Sequence, residues 1–417
     1  MTDRRGIRER LERARIPGER EAEGRAWEVV RTAYAERTPA PATARYGRFA
    51  AALAGAAALA ALIMSPAGAE VRDWISDVVE PGAKNPEPAL TSLPTAGELL
   101  VESAEGPWTV DDDGSARRLG DYEQAAWSPT ARFVAATSGH QLFAIVADAE
   151  LVGEPAGTPR WRVASPRPVS DPAWAPGGVR VAYRAGRQLR VVAGDGTDDA
   201  LLAAGVSAVA PVWRPLSDRE EEQRDEATGI VLGAANVLAF VDGGQRIHVV
   251  DVDSRRELVR PWSAGEDRIR ALHWTATGQG LVIVTERRVI RLAIRGGRAI
   301  PGRSYSFYPA RPVIAAPSPA NRLDIAALTT RGTAVPGQAS ELLLLHGAGE
   351  RSLQSGLGRF TDVAWSPDGR WLVLGWREAD QWLFIPARGG KPIAFADISA
   401  QFGGDAFPRI TGWCCAD

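Results

Sequence analysis

Residues 363–386, VAWSPDGRWLVLGWREADQWLFIP, decide the fold. VAW is a short apolar strand. SPDG supplies a turn, in which Pro367 fixes φ and Gly369 is able to take a positive one. RWLVLGW is a β-branched and aromatic strand, and QWLFIP is a third after the break at READ. A single small sheet of this kind has two apolar faces and cannot bury both. Copies at a regular period, packed face to face, bury them all.

The copies are present. Aligned on the tryptophan, they read AAWSPTARFVAATS at Trp127, PAWAPGGVRVAYRA at Trp174, PVWRP at Trp213 and LHWTATGQGLVIVT at Trp274. AAPSPANRLDIAALT puts Pro317 in the tryptophan's place, and Trp365 and ITGW at Trp413 complete the set. The steps are 47, 39, 61, 43, 48 and 48 residues, against roughly 40–50 for a four-stranded propeller blade. The 61-residue step carries an insertion. A third strand follows most copies: QLFAIVA, QLRVVAG, RIHVVDV, RVIRLAI and ELLLLHG.

The copy at Trp413 has a first strand and nothing after it. Its remaining strands stand at the other end of the array, as GELLVES from Gly97, GPWTVDDDG from Gly106 and ARRLGDY from Ala116. The last strand is therefore expected to complete the blade that the first strands begin, giving seven blades and a ring with no open terminal edge. The pattern resembles the WD-repeat-like propeller of the TolB type, whose repeat reads PxWSPDGxxIAFxS followed by an IYVMD-like strand. The resemblance covers about residues 97–417, is clear at Trp365 and Trp127, and is worn at Trp213 and Pro317. It implies a β-propeller. It implies little about function, because that fold carries binding scaffolds and enzyme accessory domains alike.

The net charge of −2 argues against a broad nucleic-acid surface. Lys84 and Lys391 are the only lysines among 49 basic residues, a bias that reads as high-GC bacterial coding. Cys414 and Cys415 are read as two small residues on the closing strand, because a bond between neighbours needs a strained eight-membered ring. They form no disulfide framework and no CxxC metal pattern.

Residues 1–48 hold twelve arginines and eight carboxylates. A helical run over 4–15 ends at Ile16-Pro17-Gly18. A second over 19–37 lines up Ala26, Trp27, Val30, Ala33 and Tyr34 on one face. Either these helices pack on each other or are disordered, or Trp27, Val30 and Tyr34 form a docking face for a cytoplasmic protein. Residues 49–69, FAAALAGAAALAALIMSPAGA, carry no charge, and 21 residues are enough to cross a membrane core of about 30 Å. The segment is read as an uncleaved signal anchor; cleavage after Ala69 is the rival reading. The arginines before the span place the N-terminus in the cytoplasm and the propeller outside. Residues 70–80 read as an interfacial helix with Trp74 at headgroup level, and 81–94 as a Pro-rich linker, so that 70–96 joins span to propeller.

Chemistry-bearing motifs are sparse. His140, His248, His273 and His346 fall in or beside strands of separate blades, without a second ligand at metal spacing, and are read as strand residues. The sequence has no GxSxG elbow and no GxxxxGK[ST] phosphate loop. The acidic stretches 111–114 and 195–199 are read as hairpin turns rather than calcium sites. The insertion after Pro215 is LSDREEEQRDEATGIVLGAA. Its Asp218, Glu220, Glu221, Glu222, Asp225 and Glu226 belong either to a solvated loop or to a recognition loop, since insertions on rigid scaffolds often carry specificity.

The whole reads as an all-β seven-bladed β-propeller with a short N-terminal helical segment and one transmembrane helix. Its role is non-catalytic: the propeller binds an extracytoplasmic protein, peptide or envelope ligand, with a cytoplasmic protein as a second partner, and needs no metal, cofactor or nucleic acid. The layout is similar to that of membrane-bound anti-sigma factors, although residues 1–48 lack the H-x-x-x-C-x-x-C zinc motif of one such class. The alternatives are a hydrolase or lyase with its site in the propeller channel, and a constitutive envelope scaffold.

Overall fold

The computed structural model describes residues 89–225, 228–321, 323–332, 338–404 and 406–415. The N-terminal helices with Trp27, Val30 and Tyr34, the span at 49–69, the interfacial helix at 70–80 and Glu226 lie outside the described residues. Among the described residues no helix is long and apolar enough to cross a membrane.

Seven four-stranded antiparallel sheets make the propeller, each a meander from an inner strand a to an outer strand d. Numbered along the chain, the inner strands of blades 1 to 6 are Gln124–Trp127, Val169–Trp174, Val212–Trp213, Ile269–Trp274, Arg311–Pro317 and Phe360–Trp365. Blade 7 is composite, as expected. Its inner strand Arg409–Cys414 pairs with Glu98–Ser103, which is followed by Gly106–Val110 and Ala116–Arg118.

Blade 6 shows why the middle strands read as continuous apolar runs. In Trp371–Trp376, Leu372 and Leu374 pack with Ala326, Leu328, Leu342 and Leu344 of blade 5. Val373 points the other way, into a cluster with Leu99, Val101 and Trp413 of blade 7. Alternate residues thus serve opposite neighbours, and both faces of the strand need apolar side chains. Each fully buried leucine contributes about 1.5–3 kcal/mol. Outer strands lack that double cover. Arg256–Ser263 and Gly349–Leu357 are largely exposed and carry arginines and glutamates, which blunts their open edges.

In blade 6 the turn after the inner strand is fixed by a serine. Ser366 is fully buried; its Oγ accepts the Trp371 amide at 2.9 Å and donates to Asp368 Oδ1 at 2.6 Å. Gly369 takes φ +66°. Blade 1 repeats the device with Ser128 and Phe133, but Ala131 occupies the glycine's place at φ +55°.

Two sequence readings are corrected. Cys414 and Cys415 are bonded to each other rather than being independent residues. The strand ends at Cys414, and Cys415 turns to φ +52°, which brings its side chain back beside its neighbour's. Residues 89–96, read as linker, instead strap onto the propeller. Leu90 and Leu93 are buried with Phe395, Ile398 and Phe402. The Leu93 amide donates to Asp112 O, and Thr95 Oγ1 to Asp368 Oδ2.

Candidate functional site

Six of the seven inner strands leave the central channel through the repeat tryptophan and that of blade 5 through Pro317, and these residues gather at one mouth. Trp213 Nε1 donates to Ala173 O (2.9 Å), Trp274 Nε1 to Val212 O (3.0 Å) and Trp365 Nε1 to Ala316 O (2.9 Å). In each case the acceptor lies one residue before the repeat position of the preceding blade. Pro317 has no donor to offer. Trp174 bonds instead within its own turn, to Gly178 O, and stacks on Phe133 with ring centroids 6.4 Å apart. Trp127 and Trp413, which flank the two seams of blade 7, have buried Nε1 atoms without a partner among the described residues.

The mouth is a funnel of about 550 Å³ lined by these six tryptophans, by seven prolines and by the small residues that precede the tryptophans, such as Ala126, Ala173 and Ala364. Among the described residues His273 is its single titratable lining residue. Desolvation alone brings the His273 pKa down to about 4, so the imidazole is neutral near pH 7. Ser366 also lines the funnel, but its hydroxyl is committed to the turn. Among the described residues no carboxylate faces this cavity to partner the imidazole. The arrangement suits apolar and aromatic contact rather than proton transfer.

The insertion is folded against the turns of blades 1 and 2 beside this mouth. Asp218–Glu221 is one helical turn closed by a capping box between Ser217 and Glu220. Glu220 also accepts from Arg214 at 2.9 Å and from the Ala235 amide at 3.0 Å. Burial pushes its pKa up, but these bonds outweigh it and hold the carboxyl near 2. Glu221 pairs with Arg224, which reaches Gly229 O and Pro176 O across blade 2. Asp225 accepts from Thr228, and Val231 is fully buried. Asp218 and Glu222 stay exposed on the helical turn. The sequence grouped six carboxylates as one loop tip; the structure gives Glu220 an internal, fastening place and leaves Asp218, Glu221, Glu222 and Asp225 at the surface.

The opposite end of the channel is polar. Arg409 lies 3.5 Å from Glu102 and 3.7 Å from Asp362, while Glu102 also accepts the Ala125 amide of blade 1 at 2.8 Å. Burial raises the pKa of both carboxyls, with Arg409 acting against it. Asp171, at φ +51°, pairs with Arg184 and donates its amide to Gln124 Oε1. None of these residues was singled out from sequence. A signal existed: Asp171 and Asp362 each stand three residues before a repeat tryptophan, in DPAW and DVAW.

Among the described residues no group of three or more His, Cys, Asp or Glu is placed to hold a metal ion. The acidic stretches are turns: 111–115 joins Gly106–Val110 to Ala116–Arg118, and 194–199 joins Gln188–Ala193 to Ala200–Ala204. His248 is a strand residue stacked on Phe240, His273 lies in Ile269–Trp274, and His346 ends Gln338–His346.

The geometry defines a closed seven-bladed β-propeller with an apolar mouth. No family model matches the chain, and no curated protein matches it. Among solved structures it is similar to the Cps50 (Swd1) β-propeller domain of Myceliophteria thermophila, at 15% identity and TM-score 0.51, covering 68% of this chain and 91% of that one. It is also similar to a hydrazine synthase of Kuenenia stuttgartiensis, at 14% identity and TM-score 0.44, covering 63% and 75%. Likeness at these identities shows the fold alone.

Proposed function

We propose that the chain is a non-catalytic binding protein whose tryptophan-lined face captures a protein or peptide. The observation that carries this reading is the funnel itself, a cavity of about 550 Å³ walled by tryptophan and proline, with one neutral histidine as its only titratable group. Rigid aromatic walls give large apolar contact at little entropic cost. Leu232 on the insertion (80% exposed) and Leu323 on the turn of blade 5 (42%) add exposed apolar side chains to the connections that follow the inner strands, at the same end of the ring. The uncharged segment 49–69 and the arginines before it support a tether to the membrane, with the propeller outside and the N-terminal segment, including Trp27, Val30 and Tyr34, inside. In that arrangement the propeller acts as a TolB-like outer sensor or receptor.

The test places a photo-crosslinking residue at Leu232, at Leu323 or at Tyr308 in the full-length chain. Tyr308 is 96% exposed and lies in the connection between blades 4 and 5, at the channel's other end. Protein adducts at Leu232 and Leu323, with none at Tyr308, are the expected result. Adducts confined to Tyr308 would move the binding face to the opposite mouth.

A further inference from the structure

The funnel continues outward as a groove. Trp174 is shared by the funnel and by a hollow of about 400 Å³ walled by Phe133 of blade 1 and Ile230 of the insertion. Thr130, on the first turn of blade 1, is in turn shared by that hollow and by a third of about 490 Å³ between blades 7 and 1. The first two are walled mainly by apolar and aromatic side chains, with one opposed pair of charges, Arg180 and Asp195, also lining the second. The third is lined by six carboxylates, among them Asp112, Asp113, Asp148 and Glu150, against one arginine, Arg117, which lies 3.6 Å from Asp111. Exposed Leu151 stands at its edge.

This sequence of surfaces selects its occupant. A nucleic acid or an anionic lipid headgroup would meet carboxylates where it needs cations. A metal ion finds no group of ligands among the described residues. A chain that is basic at one end and apolar at the other matches both parts, and an extended, proline-containing stretch suits walls of tryptophan and proline. We propose that the groove binds an extended peptide segment. Its arginines or lysines lie over the hollow between blades 7 and 1, and its apolar, proline-containing part crosses Phe133 and Trp174 into the funnel. The proposal rests on the reading of the tryptophan face as the binding face, and adds the chemistry and direction of the ligand.

The probe is a fluorescein-labelled twelve-residue synthetic peptide of four arginines followed by alternating proline and leucine. Its binding to the full-length chain is followed by anisotropy and by tryptophan emission at low and high salt. The expected result is at least tenfold tighter binding than for the same peptide with glutamates in place of arginines, and an affinity that falls as salt rises. The triple variant D112N/D113N/E150Q, which changes only exposed side chains, should keep its melting temperature while losing both the tenfold preference and the salt dependence. Ile230→Ser should weaken the arginine and glutamate peptides alike. Equal affinity for the two peptides, or an unchanged preference in the triple variant, overturns the proposal. If a peptide with serines for arginines binds as tightly and still perturbs tryptophan emission, the basic end is wrong while the binding face stands. Failure of every peptide overturns the ligand assignment, and the adducts at Leu232 and Leu323 then decide the wider reading separately.

Discussion

The indole of Trp274 in blade 4 donates to the carbonyl oxygen of Val212 in blade 3, at 3.0 Å, while the equivalent donor of Trp413 has no acceptor. The repeat tryptophan therefore does two jobs that separate between blades. It fills the wedge between neighbours wherever it occurs, and at some seams it also locks one blade's inner strand to the next. The two seams of the composite blade have the filling without the lock.

That difference is measurable. Trp274→Phe keeps most of the apolar volume but strands the Val212 carbonyl, and should cost about 1–3 kcal/mol more than Trp413→Phe, since an orphaned buried acceptor carries its full desolvation penalty. Denaturant unfolding of the two variants checks it. Equal losses would mean that packing alone holds the seams.

The turn glycine gives a second comparison. At Gly369 an added Cβ would lie 2.6 Å from the Ala320 Cβ and would sit at φ +66°. Gly369→Ala should therefore destabilise by about 1–3 kcal/mol. Ala131 already endures φ +55° in the matching place, so Ala131→Gly should be neutral or stabilising by up to about 1 kcal/mol. Melting temperatures moving in the same direction for both would show that φ is not the controlling variable.

Glu220 fastens the insertion from within. Glu220→Ala removes the capping box and the bond to Arg214, so cleavage by a protease between residues 217 and 235 should speed up at least tenfold. The ring itself should melt within about two degrees of the parent. A fall in melting temperature as large as that of a core substitution would place the insertion in the fold's cooperative unit.

His273 sets a pH dependence. Its folded pKa, about 4, lies below the ordinary value of 6.5, so the unfolded chain takes up the proton first. Its contribution to stability is complete above pH 6.5 and is lost as pH falls toward 4. His273→Gln should flatten the stability profile in that window and leave it unchanged above pH 7. A profile identical to the parent's between pH 4 and 6.5 would show the imidazole to be solvated.

The sequence made the ring legible because its pattern repeats: Trp127, Trp174, Trp213, Trp274, Trp365 and Trp413 recur with their turns, and the unpaired copy at Trp413 points to the strands after Gly97. What stayed hidden is set by single, non-repeated contacts. The stretch ALTSLP reads as linker, and only the surface offered by Phe395, Ile398 and Phe402 makes Leu90 and Leu93 core residues. Glu220 looks like one carboxylate in a solvated run until Arg214 and Ala235 close around it. The funnel is a property of seven strands together, visible in no one repeat. Asp171 and Asp362 were readable as DPAW and DVAW, but their burial beside Arg184 and Arg409 depends on how inner strands are set around the channel.

The hydrogen bond from Thr411 to Leu100 joins residues 311 apart in sequence. At a synthesis rate of about 5–20 residues per second, the edge of Glu98–Ser103 waits some tens of seconds for its partner. Throughout that time six blades can be complete while the ring has an open, apolar seam. A chain in this state is vulnerable to pairing with a second copy. The last strand is therefore a timing element as well as a structural one: until Arg409–Cys414 arrives, the cell holds an unlocked propeller whose safety depends on whatever shields that edge.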